Sequence, residues 1–193
     1  DVCSSDLENF ASLEEKCMEK LCLFRDTNAI VYPLDEELVV RCIKTLNYKN
    51  TILGWSKKDS NAALFVKDIK KAELTTTITY VWQQGKEASY TIPFIDDASV
   101  ENSITSAIIC LHLGVEVKTL AERMPLLEPV AMRLEVKEGQ HGCTLINDSY
   151  NSDFNSLDIA LDFMNRRPDH KGRKRTLILS DIFQSGEDDE TLY

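Results

Sequence analysis

The sequence predicts an α/β protein with parallel strands, and three observations carry that expectation. Short apolar runs closed by polar or proline-bearing stretches precede segments of helical periodicity twice, in residues 29–45 and again in residues 143–180. Residues 74–94 alternate apolar and polar side chains around a glycine-bearing turn, so a β-hairpin is expected beside the parallel part. Hydrophobic residues are 43% and charged residues 28% of the 193-residue chain, a balance that favours a packed core over disorder. That length fits one ordinary domain or two small or incomplete ones.

The first helix is expected over residues 13–24. Leu13, Cys17, Leu21 and Phe24 recur at helical spacing, Ser12 precedes them as an N-cap, and Glu14 and Glu15 suit the positive end of the helix dipole. Ala29–Tyr32 reads as a buried strand stopped by Pro33, and residues 36–45 read as a second helix through Leu38, Val39, Cys42 and Ile43. Residues 51–55 and 63–66 read as short strands around the polar stretch 56–61. The hairpin follows, with strands 75–82 and 89–93 and a turn at 83–87.

Residues 96–113 read as a helix with Val100, Ile104, Ala107, Ile108 and Leu111 on one face and Gly114 as its stop. A shorter helix, 118–124, closes at Pro125. The segment 128–134, which contains Pro129, is the candidate domain boundary. Beyond it come a strand at 143–147, a polar loop at 148–153, a helix at 156–166 capped by Asn155, a basic loop, and a strand at 176–180. This order reads as a βαβ unit with a right-handed crossover. It places Asp148 and Asp181 at the carboxyl ends of parallel strands, the edge where open α/β sheets bind ligands.

Several function classes are disfavoured. A formal charge of −10 repels nucleic acid and anionic membrane surfaces, and the basic run 171–175 reads as a solvated loop. No apolar stretch reaches the ~18 residues of a membrane span, and no charged n-region precedes an apolar segment, so the expected location is cytoplasmic. The six cysteines form no C-x-x-C pair and read as reduced thiols, and His112, His141 and His170 lie too far apart to suggest a zinc site. No nucleophilic triad and no G-x-x-x-x-G-K-[ST] loop can be assembled. The residues alone support a ligand-binding α/β edge.

A resemblance goes further. "RLEVKEGQHGCTLINDSYNSDFNSLDIALDF" followed by "LILSDIFQSGE" resembles the junction and early C-terminal domain of Mur ligases. The likeness is to the branch that joins UDP-N-acetylmuramoyl-tripeptide to D-Ala-D-Ala, in wording close to the Bacteroidota form fused to alanine racemase. That branch carries a boundary arginine, then D-[SD]-Y-N-[AS]-x-x-x-S, then a strand ending in G/S-D-M/I. "VENSITSAIICLHLGV" resembles the helix after its H-N-x-x-N motif, and "EEKCMEKLCLF" its lysine-bearing helix.

The resemblance implies the second half of an ATPase-type central domain over residues 8–133 and the start of a Rossmann-like C-terminal domain over residues 134–193. Residues 1–7 resemble a translated sequencing adapter and are expected to be non-native, and both chain ends suggest a fragment. The implied activity is ATP- and Mg2+-dependent amide ligation in peptidoglycan synthesis. In that pattern Asp148 holds the ATP ribose hydroxyls, Tyr150 and Asn151 shape the same nucleotide pocket, and Arg133 approaches the phosphates. Asn102 meets adenine, and Lys20, if carbamylated, becomes a carboxylate-like magnesium ligand. Two departures stand against it: Ala98 and Ser99 replace the histidine and first asparagine of H-N-x-x-N, and Pro33-Leu34-Asp35-Glu36 stands where the family has N-x-D-D. The phosphate loop and a magnesium-holding glutamate lie upstream of the matching region in the family. Another Mur-type amide ligase and a noncatalytic α/β binding module remain as alternatives.

Overall fold

Helices and strands are mixed along the chain, and the computed structural model describes residues 10–128, 133–150, 154–166 and 174–180. Two compact units divide between Leu127 and Glu128.

The first unit holds five strands in sequential order: β1 (Ala29–Pro33), β2 (Thr51–Ser56), β3 (Leu64–Lys71), β4 (Thr76–Trp82) and β5 (Glu87–Ile92). β1, β2 and β3 run parallel, whereas β4 and β5 continue the sheet antiparallel. Four helices accompany it: α1 (Leu13–Leu21), α2 (Glu37–Thr45), α3 (Asp97–His112) and α4 (Val117–Arg123). A 3-10 turn, Cys22–Phe24, follows α1, so the long first helix expected from the sequence tightens in its last turn.

Alternation of side chains along the strands sorts the unit into three layers. Val31 and Leu53, paired in register, face a core formed with Trp55, Ile78, Ile104 and Ile108, where α3 packs. Ile30 points the other way and is buried with Cys17 and Leu21 of α1 and Cys42 and Ile43 of α2. The pair α1/α2 and the pair α3/α4 therefore cover opposite faces of the sheet. Caps fix the helix starts: Ser12 Oγ accepts from Glu15 N at 3.1 Å, and Asp96 Oδ1 accepts from Ser99 N at 2.7 Å.

β3 extends five residues beyond the strand expected from its apolar start. Lys67, Asp68, Lys70 and Lys71 disguise it, yet an antiparallel strand tolerates one polar, solvated face, and a bulge between Val66 and Asp68 resets the register against β4. The β4–β5 turn places both Gln83 and Gln84 at positive φ, 46° and 56°, and Gly85 N donates to Trp82 O at 2.8 Å. This is the primed turn geometry that matches strand twist.

The second unit contains β6 (Glu135–Glu138), β7 (Thr144–Asn147) and α5 (Phe154–Arg166). β6 had no apolar signature and was not expected. It pairs antiparallel with β7, from Glu135↔Asn147 to Glu138↔Thr144. The expected βαβ pairing does not form among the described residues: residues 176–180 lie in no strand, and Leu177, Ile178 and Leu179 are 56%, 90% and 44% exposed. A parallel strand needs cover on both faces, which the described residues do not supply, whereas the β6–β7 hairpin closes over a short loop at little entropic cost. α5 begins at Phe154, so Asn155 lies in its first turn rather than at its cap.

Candidate functional site

Two strand ends carry most of the polar chemistry, one in each unit. In the first unit, β1 and β2 are parallel and finish side by side, so the segments after them share the carboxyl edge. Asp35 follows β1 and both of its oxygens are engaged: Oδ1 accepts from Ser56 Oγ at 2.6 Å and Oδ2 from Lys57 N at 2.7 Å. Ser56 Oγ in turn accepts from Lys58 N at 2.9 Å and Asp59 N at 2.8 Å. A fully buried hydroxyl is thus the hub that shapes the loop 57–61.

Lys57 extends from that loop to Glu101 on α3, with Nζ 2.9 Å from Oε1, and lies 5.7 Å from the centroid of the Trp55 ring. Trp55 Nε1 donates to Thr105 Oγ1 at 3.3 Å, a second tie between β2 and α3. Asn102, one residue after Glu101, is exposed on α3, and its carbonyl accepts from Ser106 Oγ at 2.9 Å.

Lys20 lies in the last turn of α1 and is half-buried, while Lys16, one turn earlier, is only 1% exposed. Lys20 and Asn102 therefore sit on helices that cover opposite faces of the sheet. Burial beside the Cys42 thiol pushes the Cys17 thiol up to about 11, and burial likewise raises Tyr90, against a Ser103 hydrogen bond that lowers it. Both groups belong to the core rather than to the carboxyl edge.

In the second unit the register of β6 with β7 brings together three of the residues singled out in the sequence. Glu135 pairs with Asn147, so Arg133 and Leu134 before β6 run beside Asp148 to Tyr150 after β7. Asp148 Oδ1 accepts from Leu134 N at 3.0 Å, and the Arg133 guanidinium carbon lies 4.2 Å from the centroid of the Tyr150 ring. Leu134 itself adopts φ 46°, the left-handed region that a bulky residue seldom enters. Asn151 lies outside the described residues, as does Asp181.

This trio suits a phosphorylated diol. Arg133 offers a permanent cation and a planar fork of donors for phosphate oxygens. A carboxylate has about four lone-pair sites, so Asp148 can accept from hydroxyls as well as from Leu134. A magnesium site does not follow in the same way. Among the described residues no group of three or more His, Cys, Asp or Glu side chains is placed to hold a metal ion, and an unmodified ammonium at Lys20 has no lone pair to offer. No helix among the described residues is long and apolar enough to cross a membrane.

Sequence reasoning missed the Ser56 hub and buried Lys16. Ser56 was readable as a polar strand end, but its partner is 21 residues away, and Lys16 flanks the apolar stripe of α1 as Lys20 does.

No protein-family model matches the chain. The chain is 25% identical over 128 residues, 66% of its length, to the UDP-N-acetylmuramoyl-tripeptide--D-alanyl-D-alanine ligase of Bacillus subtilis (strain 168). It spans 27% and 39% of the length of two curated relatives of that description. In fold it is similar to MurF from Acinetobacter baumannii, with a TM-score of 0.72 at 16% identity, covering 86% of this chain and 36% of that one. MurF ligase from Thermotoga maritima, solved in complex with ADP, gives a TM-score of 0.63 at 20% identity, covering 86% of this chain and 38% of that one. The Mur ligase resemblance read from the sequence thus holds in sequence and in fold.

Proposed function

We propose, from this likeness to Mur ligases, that the chain is part of an ATP-dependent ligase that joins UDP-N-acetylmuramoyl-tripeptide to D-Ala-D-Ala in peptidoglycan precursor synthesis. The observation that carries the reading is the meeting of Arg133, Asp148 and Tyr150 at one strand end, within the stretch where the sequence resemblance is most specific. The domain reading accompanies it: residues 8–133 as part of an ATP-binding central domain, residues 134–193 as the start of a C-terminal domain, and residues 1–7 as non-native.

In this reading the terminal carboxylate of the tripeptide takes the γ-phosphoryl group of ATP, giving an acyl phosphate and ADP. The amine of the dipeptide then attacks the acyl carbon, forming the amide and releasing phosphate with loss of the amine proton. The protein's contribution is position and charge. Arg133 would sit against the phosphates, where negative charge moves during transfer, and Asp148 would accept from the ribose hydroxyls. Asn102 and Asn151 would complete the nucleotide contacts, and Lys20 would join a magnesium site only as a carbamate. A cytoplasmic location and a fused alanine racemase domain belong to the same proposal.

The isolated chain has no G-x-x-x-x-G-K-[ST] loop and is expected not to turn over. The test uses the product of the whole reading frame that contains this chain. Phosphate release from ATP should require both the muramoyl tripeptide and D-Ala-D-Ala, and should fall at least about a hundredfold in Arg133→Ala, as for loss of one preorganised electrostatic partner. Release that requires a single amino acid in place of the dipeptide would instead identify another amide ligase of the same fold. Phosphate release that depends on neither acceptor would overturn the ligase reading.

A further inference from the structure

We propose that Tyr150 is a positioning residue for Arg133, which it holds by carrying the guanidinium on its ring, with Asp148 fixing the backbone between them. The inference rests on the nucleotide reading above and deepens it, since it gives Tyr150 a task that does not require its own contact with the nucleotide.

Antiparallel pairing of Glu135 with Asn147 continues outward, so Leu134 falls opposite Asp148 and Arg133 falls beside Ser149 and Tyr150. Arg133 and Tyr150 are both exposed, Tyr150 at 56%, and an exposed arginine with no fixed partner samples many rotamers. Here its guanidinium carbon lies 4.2 Å from the ring centroid, well inside the ~6 Å over which a ring quadrupole attracts a cation. The backbone is held as well. Leu134 stands at φ 46°, and its N–H donates to Asp148 Oδ1 at 3.0 Å, so a side chain two residues before Tyr150 secures the turn from which Arg133 projects. One short strand end therefore sets both the origin and the direction of the arginine, and stacking through the guanidinium face does not consume its N–H donors.

Stacking needs the ring and not the hydroxyl, which separates this role from direct hydrogen bonding by Tyr150. In the product of the whole reading frame that contains this chain, labelled with 13C and 15N, the Arg133 δ-methylene and Nε–H resonances should be displaced upfield by the ring. Tyr150→Phe should keep the displacement and Tyr150→Leu should abolish it. Asp148→Asn, which retains an acceptor for Leu134 N, should keep more of it than Asp148→Ala. Cross-strand contacts between Val136 and Ile146 serve to show that each variant keeps the hairpin. With ATP as the probe, Tyr150→Leu should bind about two- to fivefold more weakly than Tyr150→Phe, the range for an exposed cation–ring contact. Undisplaced Arg133 resonances in the unaltered chain, or a Tyr150→Phe variant as impaired as Tyr150→Leu, would overturn the proposal. A ring displacement that follows this pattern in a chain to which ATP does not bind would uphold the stacking and overturn the nucleotide reading instead.

Discussion

Asp35 and Asp148 make a natural pair for comparison, since each follows a strand and each accepts a backbone N–H, yet their surroundings differ. Asp35 has both oxygens engaged by Ser56 Oγ and Lys57 N, next to a serine that is fully buried. It shapes a loop from inside a unit with a core on both faces of its sheet. Asp148 receives Leu134 N at the end of a two-stranded sheet, in a unit where none of the described residues is buried. The first carboxylate is committed to architecture. The second retains acceptor sites toward solvent beside an exposed cation, which is where a ligand can use them.

The two units differ most in their cores. Ile104 is completely buried on α3 against the sheet, so Ile104→Ala should lower the stability of the first unit by about 2 to 5 kcal/mol. Both tryptophans, Trp55 and Trp82, belong to that unit, so denaturant unfolding followed by their fluorescence reads it selectively. Val136→Ala on β6 should leave the same transition in place. The hubs differ next. Ser56→Ala removes the donor to Asp35 and the acceptor for two N–H groups, at about 1 to 3 kcal/mol, whereas Asp148→Ala exposes Leu134 N to water and should cost less than about 1 kcal/mol. Hydrogen exchange should show β3–β4 amides protected longer than those of β6–β7, and equal protection would remove the contrast.

The α1/α2 side of the sheet carries a pH dependence. Burial beside Cys42 raises the Cys17 thiol from about 9.0 to about 11, so the folded state holds its proton more tightly than the unfolded state. The stabilisation is complete below about pH 9 and is lost as pH rises toward about 11, because the unfolded thiol ionises first. That window corresponds to at most roughly 3 kcal/mol. The stability of Cys17→Ala should start lower but decline less steeply between pH 9 and 11, and an unchanged slope would assign the alkaline loss elsewhere, with buried Tyr90 the first alternative.

What the sequence revealed follows the same division. α1, α2, α3 and the hairpin were legible because burial enforces periodicity: Val100, Ile104 and Ile108 lie on one face because the sheet requires it. β6 was not legible, since Glu135, Val136, Lys137 and Glu138 include one apolar residue and none that is buried, so they leave no apolar alternation. Residues 176–180 misled in the opposite direction, an apolar run that pairs with no strand among the described residues. At the site, Arg133, Asp148 and Tyr150 were legible through resemblance, but their mutual contacts depend on the register of the strand that the sequence concealed. Lys16 and Lys20 show a similar limit: one helical turn separates a buried lysine from a half-buried one, and spacing alone favours neither.

The smallest expected effect tests whether α5 depends on surface electrostatics. Asp162 and Arg166 are four apart on α5, with 2.6 Å between Oδ2 and the guanidinium, and each is about half exposed, at 53% and 51%. The acidic residue lies N-terminal to the basic one, and Arg166 is in the last turn, so the pair and the helix dipole act in the same direction. Exposure to solvent nevertheless limits such a pair to about 0.3 to 0.5 kcal/mol, and salt screens it. Asp162→Ala should therefore reduce α5 helicity slightly at low salt, read from Cα chemical shifts of residues 157–166, and the difference should vanish near 1 M salt. Collapse of α5 in that variant would mean that a single ion pair supports the helix. In that event the half-buried Leu157, Leu161 and Met164 contribute little to holding it, and the second unit is less stable than its hairpin register implies.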